Sequence, residues 1–232
     1  MEKNRLAKFL AASGIGSRRA CERIVAAGEV KVNGCVALLP QMLVDGRDHI
    51  TVGGHQLPKE EAKVYFLLNK PRGYLCSTVG ASRCKLVFDL FKGVSQRLFT
   101  AGRLDKDTTG LLIVTNDGVF SQRVIHPSSN IKKEYVAKTR QEITADHLKT
   151  IARGCEVEET FVKPISVKKV RKGTIKVVIA EGKKREVRCM LERAGLDVIE
   201  LKRTRIGGLS LGNLPLGMWR LMTDKEKKLV FT

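Results

Sequence analysis

"GRLDKDTTGLLIVTNDG", Gly102 to Gly118, sets two carboxylates, Asp105 and Asp107, in front of Thr108, Thr109 and Gly110. The flanking pieces "LFTAG" and "LLIVT" read as strands, so the acidic segment is a hydrophilic loop between two apolar runs. Three chemistries use such a loop: calcium binding, a catalytic acid pair, or a tight turn. As a calcium loop, Asp105, Asp107, Thr109 and Gly110 would fill positions one, three, five and six. The twelfth position is then Asn116 where a bidentate Glu is needed, and the flanks are not helical. A glycosidase-type carboxylate pair is possible by residue type. Lys106 between the two acids, in a strongly basic chain, suits the sugar of a nucleic acid better than a neutral saccharide. Asp107 and the threonines read as turn chemistry that satisfies backbone groups.

The chain has 232 residues, 43% of them apolar, enough to fill a sizeable core. Its formal net charge is +19, which points to a polyanionic partner, because clustered Lys and Arg release counterions from a phosphate backbone. The six cysteines are scattered without C-x-x-C spacing or a histidine at zinc-ligand distance. They read as reduced thiols, with no metal. No apolar run approaches a membrane span, and the N-terminus "MEKNRLAKFLAASG" is unlike a signal peptide. A cytoplasmic, monomeric protein is expected.

Two amphipathic helices are predicted near the start. Leu6, Phe9 and Leu10 give helical spacing over Arg5 to Ala12, and Ser17 can cap a second helix from Arg18 to Ala27. "EVKVNGCVAL" alternates around Asn33-Gly34 as a hairpin should, and "HITVGGHQL" supplies a second alternating piece. The unit runs out at "PKEEAK", Pro58 to Lys63. These elements and the residues "RLAKFLAASGIGSRRACERIVAAGEVKVNG" resemble the S4 RNA-binding domain. The resemblance implies a domain over 1–58, a linker at 59–62, and a helical face that grips structured RNA through Arg5, Lys8, Arg18, Arg19 and Arg23.

Residues 63–232 are richer in strands. Helical spacing recurs over Asp117 to Ile125, Thr144 to Arg153 and Arg185 to Ala194, and Thr223 with Glu226 forms a capping box. Without regular βα alternation, the class is α+β, with a mixed, largely antiparallel sheet. From Lys163 to Arg205 there are 14 Lys and Arg against 5 Asp and Glu. Phosphate should bind there, with Lys184 and Arg185 among the substrate contacts.

The opening stretch is similar to the signature of the pseudouridine synthases that modify ribosomal RNA, in the branch that carries an N-terminal S4 domain. "KPRGYLCS", "HPSSNIKKEYVAKT" and "IAEGKKREVRCMLERAGLDVIELKRTRIGGLSL" agree with it in order. The resemblance implies isomerisation of uridine with no cofactor. Asp105 would be the catalytic carboxylate, either a nucleophile at C1′ or a base toward the C2′ proton. Arg188 would be its cationic partner through a forked ion pair. Tyr135 would stack on the uracil, and Leu201 would lie beneath the ring. Arg103 would insert where the extruded base stood, or else contact a phosphate. Cys189 departs from the family, which usually has a second arginine there. The pieces "HPSSNIKKEYVAKT" and "LPLGMWRLMTDKE" favour the large-subunit subgroup, with small-subunit rRNA as the alternative substrate. Two other classes are an RNA-binding assembly factor without catalysis and a hydrolase that would release free uracil. Intact Asp105, Tyr135 and Arg188 argue against the first.

Overall fold

The computed structural model describes residues 3–58, 61–78 and 84–232. The chain divides into two compact units, one of residues 1–64 with 95–97 and 116–118, the other of the remainder. Lys59 and Glu60, in the expected linker, lie outside the described residues.

In the first unit, β1 (Asn4–Arg5) runs directly into α1 (Leu6–Ala12). The helix starts one residue later than its spacing predicts, because Arg5 is extended and pairs with Leu43 of β4 (Leu43–Val44). Next, α2 (Arg18–Ala26) begins where the Ser17 hydroxyl accepts the Ala20 N–H at 3.1 Å, which satisfies one of the four donors a helix start leaves open. Strands β2 (Val30–Val32) and β3 (Cys35–Val36) then turn through Asn33 and Gly34, both with positive φ. That is the left-handed pair a two-residue hairpin requires. With β5 (Ile50–Val52) and β6 (His55–Gln56) they form a four-stranded sheet. Leu6, Leu10, Cys21, Val25, Val30 and Ile50 make the core. Full burial stabilises each aliphatic side chain by about 1.5–3 kcal/mol, so the small unit has a genuine apolar centre.

The second unit is built on a mixed nine-stranded sheet. Its main path runs β13 (Ser166–Arg171), β14 (Thr174–Ile179), β10 (Lys133–Thr139), β15 (Val198–Ile206), β9 (Thr108–Thr115), β7 (Tyr65–Lys70) and β17 (Trp219–Leu221). The short β8 (Phe99–Ala101) adds to β9, and β16 (Leu209–Ser210) to β15. Among the described residues its pairings are antiparallel except one: β15 runs parallel to β9 over Leu201–Arg203 against Thr108–Gly110. The expected largely antiparallel α+β architecture is what is found. A two-stranded hairpin, β11 (Cys155–Val157) with β12 (Thr160–Val162), stands apart.

Alternation sorts this sheet into two faces. Leu67, Leu111, Ile113 and Ile206 pack on one side with Phe120 and Val124 of α3 (Gly118–Ile125) and with Val230. Register places Lys70, Gly110 and Arg203 together on the other side, with Leu201, Ala137 and Tyr135. Helix α4 (Ala145–Arg153) is capped by Thr144 and closed by Gly154, α5 (Glu186–Arg193) follows β14, and α6 (Asp224–Leu229) opens with the Thr223–Glu226 capping box.

Candidate active site

Asp105 sits in the loop that feeds β9, and that loop is shaped from below by a lysine. Lys70 ends β7 fully buried, 0% exposed. Its Nζ donates toward four carbonyl oxygens: Asp105 at 3.0 Å, Thr108 at 3.0 Å, Pro71 at 3.2 Å and Lys106 at 3.3 Å. An ammonium has three protons, so four acceptors share them and the charge is spread over peptide dipoles. Burial lowers the Lys70 pKa, and Cys76, Asp105 and Asp107 oppose that shift. The Gly73 N–H also bonds the Lys106 carbonyl at 2.8 Å, and the Thr108 N–H closes the turn onto the Asp105 carbonyl at 3.1 Å. With the loop's carbonyls taken up this way, the Asp105 carboxylate is half-buried. Among the described residues, no hydrogen bond or ion pair holds it.

Two arginines complete the loop's surroundings. Arg203 is 3% exposed; its Nε donates to the Leu111 carbonyl at 2.8 Å. Its Nη1 reaches the Arg103 carbonyl and the Tyr135 hydroxyl, both at 3.4 Å, with the guanidinium 6.0 Å from the tyrosine ring centre. Arg188, on α5, is 7% exposed, and its Nη2 donates to the Asp107 carbonyl at 3.1 Å. Burial lowers the Arg188 pKa, as does Arg185, while Asp107 and Asp105 raise it. Arg203 Nη2 and Arg188 Nε are buried donors without a partner among the described residues. A buried unpartnered N–H is costly.

This corrects one expectation. The forked Asp105–Arg188 ion pair is absent among the described residues, and the arginine grips the loop through the Asp107 backbone instead. Asp107 itself pairs with Arg72 at 3.5 Å, in an exposed bridge at a turn. Such a bridge contributes at most about 1 kcal/mol.

Tyr135 and Leu201 lie on the same sheet face as Arg203, both nearly buried. Arg103 is exposed, with its carbonyl bound to Arg203. Lys184 and Arg185 stand exposed just ahead of α5. Arg185 adopts a left-handed backbone and pairs with Glu192 at 3.2 Å. In the first unit, Arg5, Lys8, Arg18, Arg19 and Arg23 are all exposed, Arg18 beside Glu22 at 3.6 Å. The six cysteines are free, and among the described residues no cluster of three or more His, Cys, Asp or Glu could hold a metal.

Sequence reasoning passed over Lys70 and Arg203, the two cations that build the site. A signal existed for each: Lys70 closes the apolar strand "YFLLN", and Arg203 falls in the buried phase of β15, two residues from Leu201.

A family model for RNA pseudouridylate synthase matches residues 64–193, and one for the S4 domain matches 4–50. The chain belongs to the RNA pseudouridylate synthase family. Among this pseudouridine synthase's relatives, ribosomal large subunit pseudouridine synthase B of Bacillus subtilis is 40% identical over 230 residues, spanning 97% of this chain and 94% of the relative. A putative chloroplastic ribosomal large subunit pseudouridine synthase of Arabidopsis thaliana is 41% identical over 98% of this chain, which spans 60% of that relative's length. The dual-specificity RNA pseudouridine synthase RluF of Escherichia coli is 35% identical over 96% of this chain and 76% of its own. A crystal structure of a pseudouridylate synthase superposes with a TM-score of 0.71 at 28% identity, covering 97% of this chain and 99% of the other. The chain thus combines an N-terminal S4 domain with a mixed-sheet pseudouridine synthase domain.

Proposed function

We propose that this pseudouridine synthase isomerises uridine in large-subunit ribosomal RNA, with Asp105 as the carboxylate that acts on the ribose. The observation that carries this reading is the state of Asp105: half-buried, unpaired, and on a loop whose carbonyls are held by Lys70 and Arg188. A carboxylate so placed is free to attack C1′ or to take the C2′ proton. The C1′–N1 bond breaks, the uracil turns, C1′–C5 forms, N1 gains a proton and C5 loses one. Atoms and electrons balance without a redox partner.

Tyr135, whose hydroxyl accepts from Arg203, is the aromatic surface for the turning base and stands near the C5 proton. Arg188 and Arg203 offer their unpartnered N–H groups to uracil or phosphate oxygens. Leu201 lies under the ring, Arg103 fills the extruded base's place, and Lys184 and Arg185 take phosphates. The large-subunit preference is supported by the names of the Bacillus and Arabidopsis relatives. Residues 1–58, through Arg5, Lys8, Arg18, Arg19 and Arg23, select the RNA, and residues 63–232 do the chemistry. The enzyme works as a cytoplasmic monomer.

Asp105→Asn tests the reading. It should abolish pseudouridine formation while RNA affinity stays within a few-fold, because one amide replaces one charge among many phosphate contacts. Pseudouridine mapping on unmodified transcripts of both rRNAs reads the result. Formation by the variant at a tenth of the wild-type rate would sink the assignment, and modification confined to the small-subunit transcript would overturn the substrate.

A further inference from the structure

On the sheet face away from Tyr135 and Arg203, where β9 begins, lies a pocket of about 720 Å³. That volume falls within the range of about 300–1,000 Å³ typical of small-molecule sites. Register puts Asn69, Thr109 and Lys202 on this face, opposite the face that carries the candidate active site. The loop 212–216 forms one wall, bringing Leu214 and the 60% exposed Leu216, and Ile199 stands on the other side.

The chemistry of the lining is specific. Asn69 is 3% exposed and pins the wall: its Nδ2 donates to the Leu214 carbonyl at 2.8 Å, and its backbone bonds Met218 and Gly217. Its Oδ1 has no partner among the described residues, a buried acceptor awaiting a donor. The two acids in the lining are both neutralised, Asp107 by Arg72 at 3.5 Å and Glu200 by Lys138 at 2.8 Å. Among the described residues no ion pair engages Lys202. The pocket therefore presents apolar walls for a flat ring and one uncommitted cation at its rim. A base with two ring faces and an attached phosphate matches both.

We infer that this pocket holds a second, unreacted nucleotide of the substrate RNA, one that flanks the uridine delivered to Asp105. The inference rests on the reading of the chain as an RNA enzyme. Position supports it: Asp107 lines the pocket, is two residues from Asp105, and gives its carbonyl to Arg188. Two residues span at most about 7 Å, so one strand can serve both places by wrapping the end of β9. A free nucleotide has the same base and phosphate, but the rim offers it one unpaired cation, too little to retain a ligand without the rest of an RNA strand.

The test uses the full chain with unmodified large-subunit rRNA transcript. Ultraviolet crosslinking and mass spectrometry should find nucleotide adducts on peptides carrying Ile199–Lys202 or Gly212–Leu216. Leu216→Ser and Lys202→Gln, both on exposed side chains, should each raise KM about three- to tenfold with kcat within twofold, and Leu216→Trp should restore or tighten binding by offering a stacking surface. Wild-type KM in both weakening variants, or adducts confined to peptides carrying Asp105, Tyr135 and Arg188, overturns the inference. Blocking of the pocket by free nucleoside monophosphates, with no RNA adduct there, also overturns it, by assigning the site to a small nucleotide. A wild-type chain that forms no pseudouridine would defeat the proposed function, whereas adducts at 199–202 would still place RNA in the pocket.

Discussion

The helix cations of the first unit and the three buried cations of the second are the same residue types in opposite circumstances. Arg5, Lys8, Arg18, Arg19 and Arg23 of the first unit project into water, while Lys70, Arg203 and Arg188 of the second are 0%, 3% and 7% exposed. An exposed cation acts at a distance and through counterions, and its neighbours hardly depend on it. A buried one must be surrounded by acceptors, so it dictates where those acceptors go. In the second unit the acceptors are the Tyr135 hydroxyl and backbone carbonyls of residues 71, 103, 105–108 and 111, so the cations shape the Asp105 loop and its neighbours.

The sharpest way to break this contrast is Lys70→Met. It removes the donor from four carbonyls at once, so a loss of about 3 kcal/mol or more is expected, along with most pseudouridine formation. Denaturant unfolding checks the first and product mapping the second; a variant of ordinary stability and activity would show the lysine to be incidental. Arg188→Met comes next. It frees one carbonyl and removes one buried cation, so the rate should fall about 100- to 1,000-fold, with about 1–3 kcal/mol of stability lost. Unaltered turnover would leave the Asp107 contact without a role. The double variant Arg18→Ala, Arg19→Ala should leave the melting temperature unchanged. RNA affinity should fall about tenfold at low salt, and the slope of log affinity against log salt should flatten by roughly 2. A loss of stability instead would place these residues among the buried kind.

The smallest effect is expected at an ion pair between these extremes. Arg220 donates to both Glu226 oxygens at 2.6 and 2.8 Å and, as the main cause, holds the carboxyl pKa down to about 2. A carboxyl depressed in the folded state contributes stability above its unfolded pKa and loses it as pH falls through the folded one. Glu226→Gln should therefore lower the melting temperature by a few degrees at pH 7. The gap from wild type should close between about pH 4.5 and pH 2. A gap that persists at pH 2 would show that packing, not charge, holds α6.

Much of this was legible along the chain because its causes are local. Ser17, Thr144 and Thr223 cap helices through atoms three residues away, and Asn33-Gly34 turns a hairpin through its own dihedrals. The loop of Asp105 and its flanking strands also stand where their pattern predicts. What stayed hidden is non-local. Only Pro71 lies beside Lys70 in sequence; its other acceptors begin 35 residues on, and Leu111, which receives Arg203, is 92 residues away. The Arg188–Asp105 expectation failed for a related reason: residue types suggest a pair of charges, whereas the fold offers Arg188 the backbone of Asp107.

The three-residue parallel seam between β9 and β15 sets an order of events during synthesis. Gly110 lies so close to the Arg203 backbone that a Cβ there would run into it, so the seam leaves no slack for a partial substitute. Arg203 leaves the ribosome 92 residues after Leu111, whose carbonyl it binds, a delay on the order of ten seconds at ordinary translation rates. Lys70 can gather its loop early, but Tyr135, Arg188 and Arg203 take their places only when the last quarter of the chain arrives. The nascent protein can therefore carry a folded RNA-binding unit well before it has a working active site.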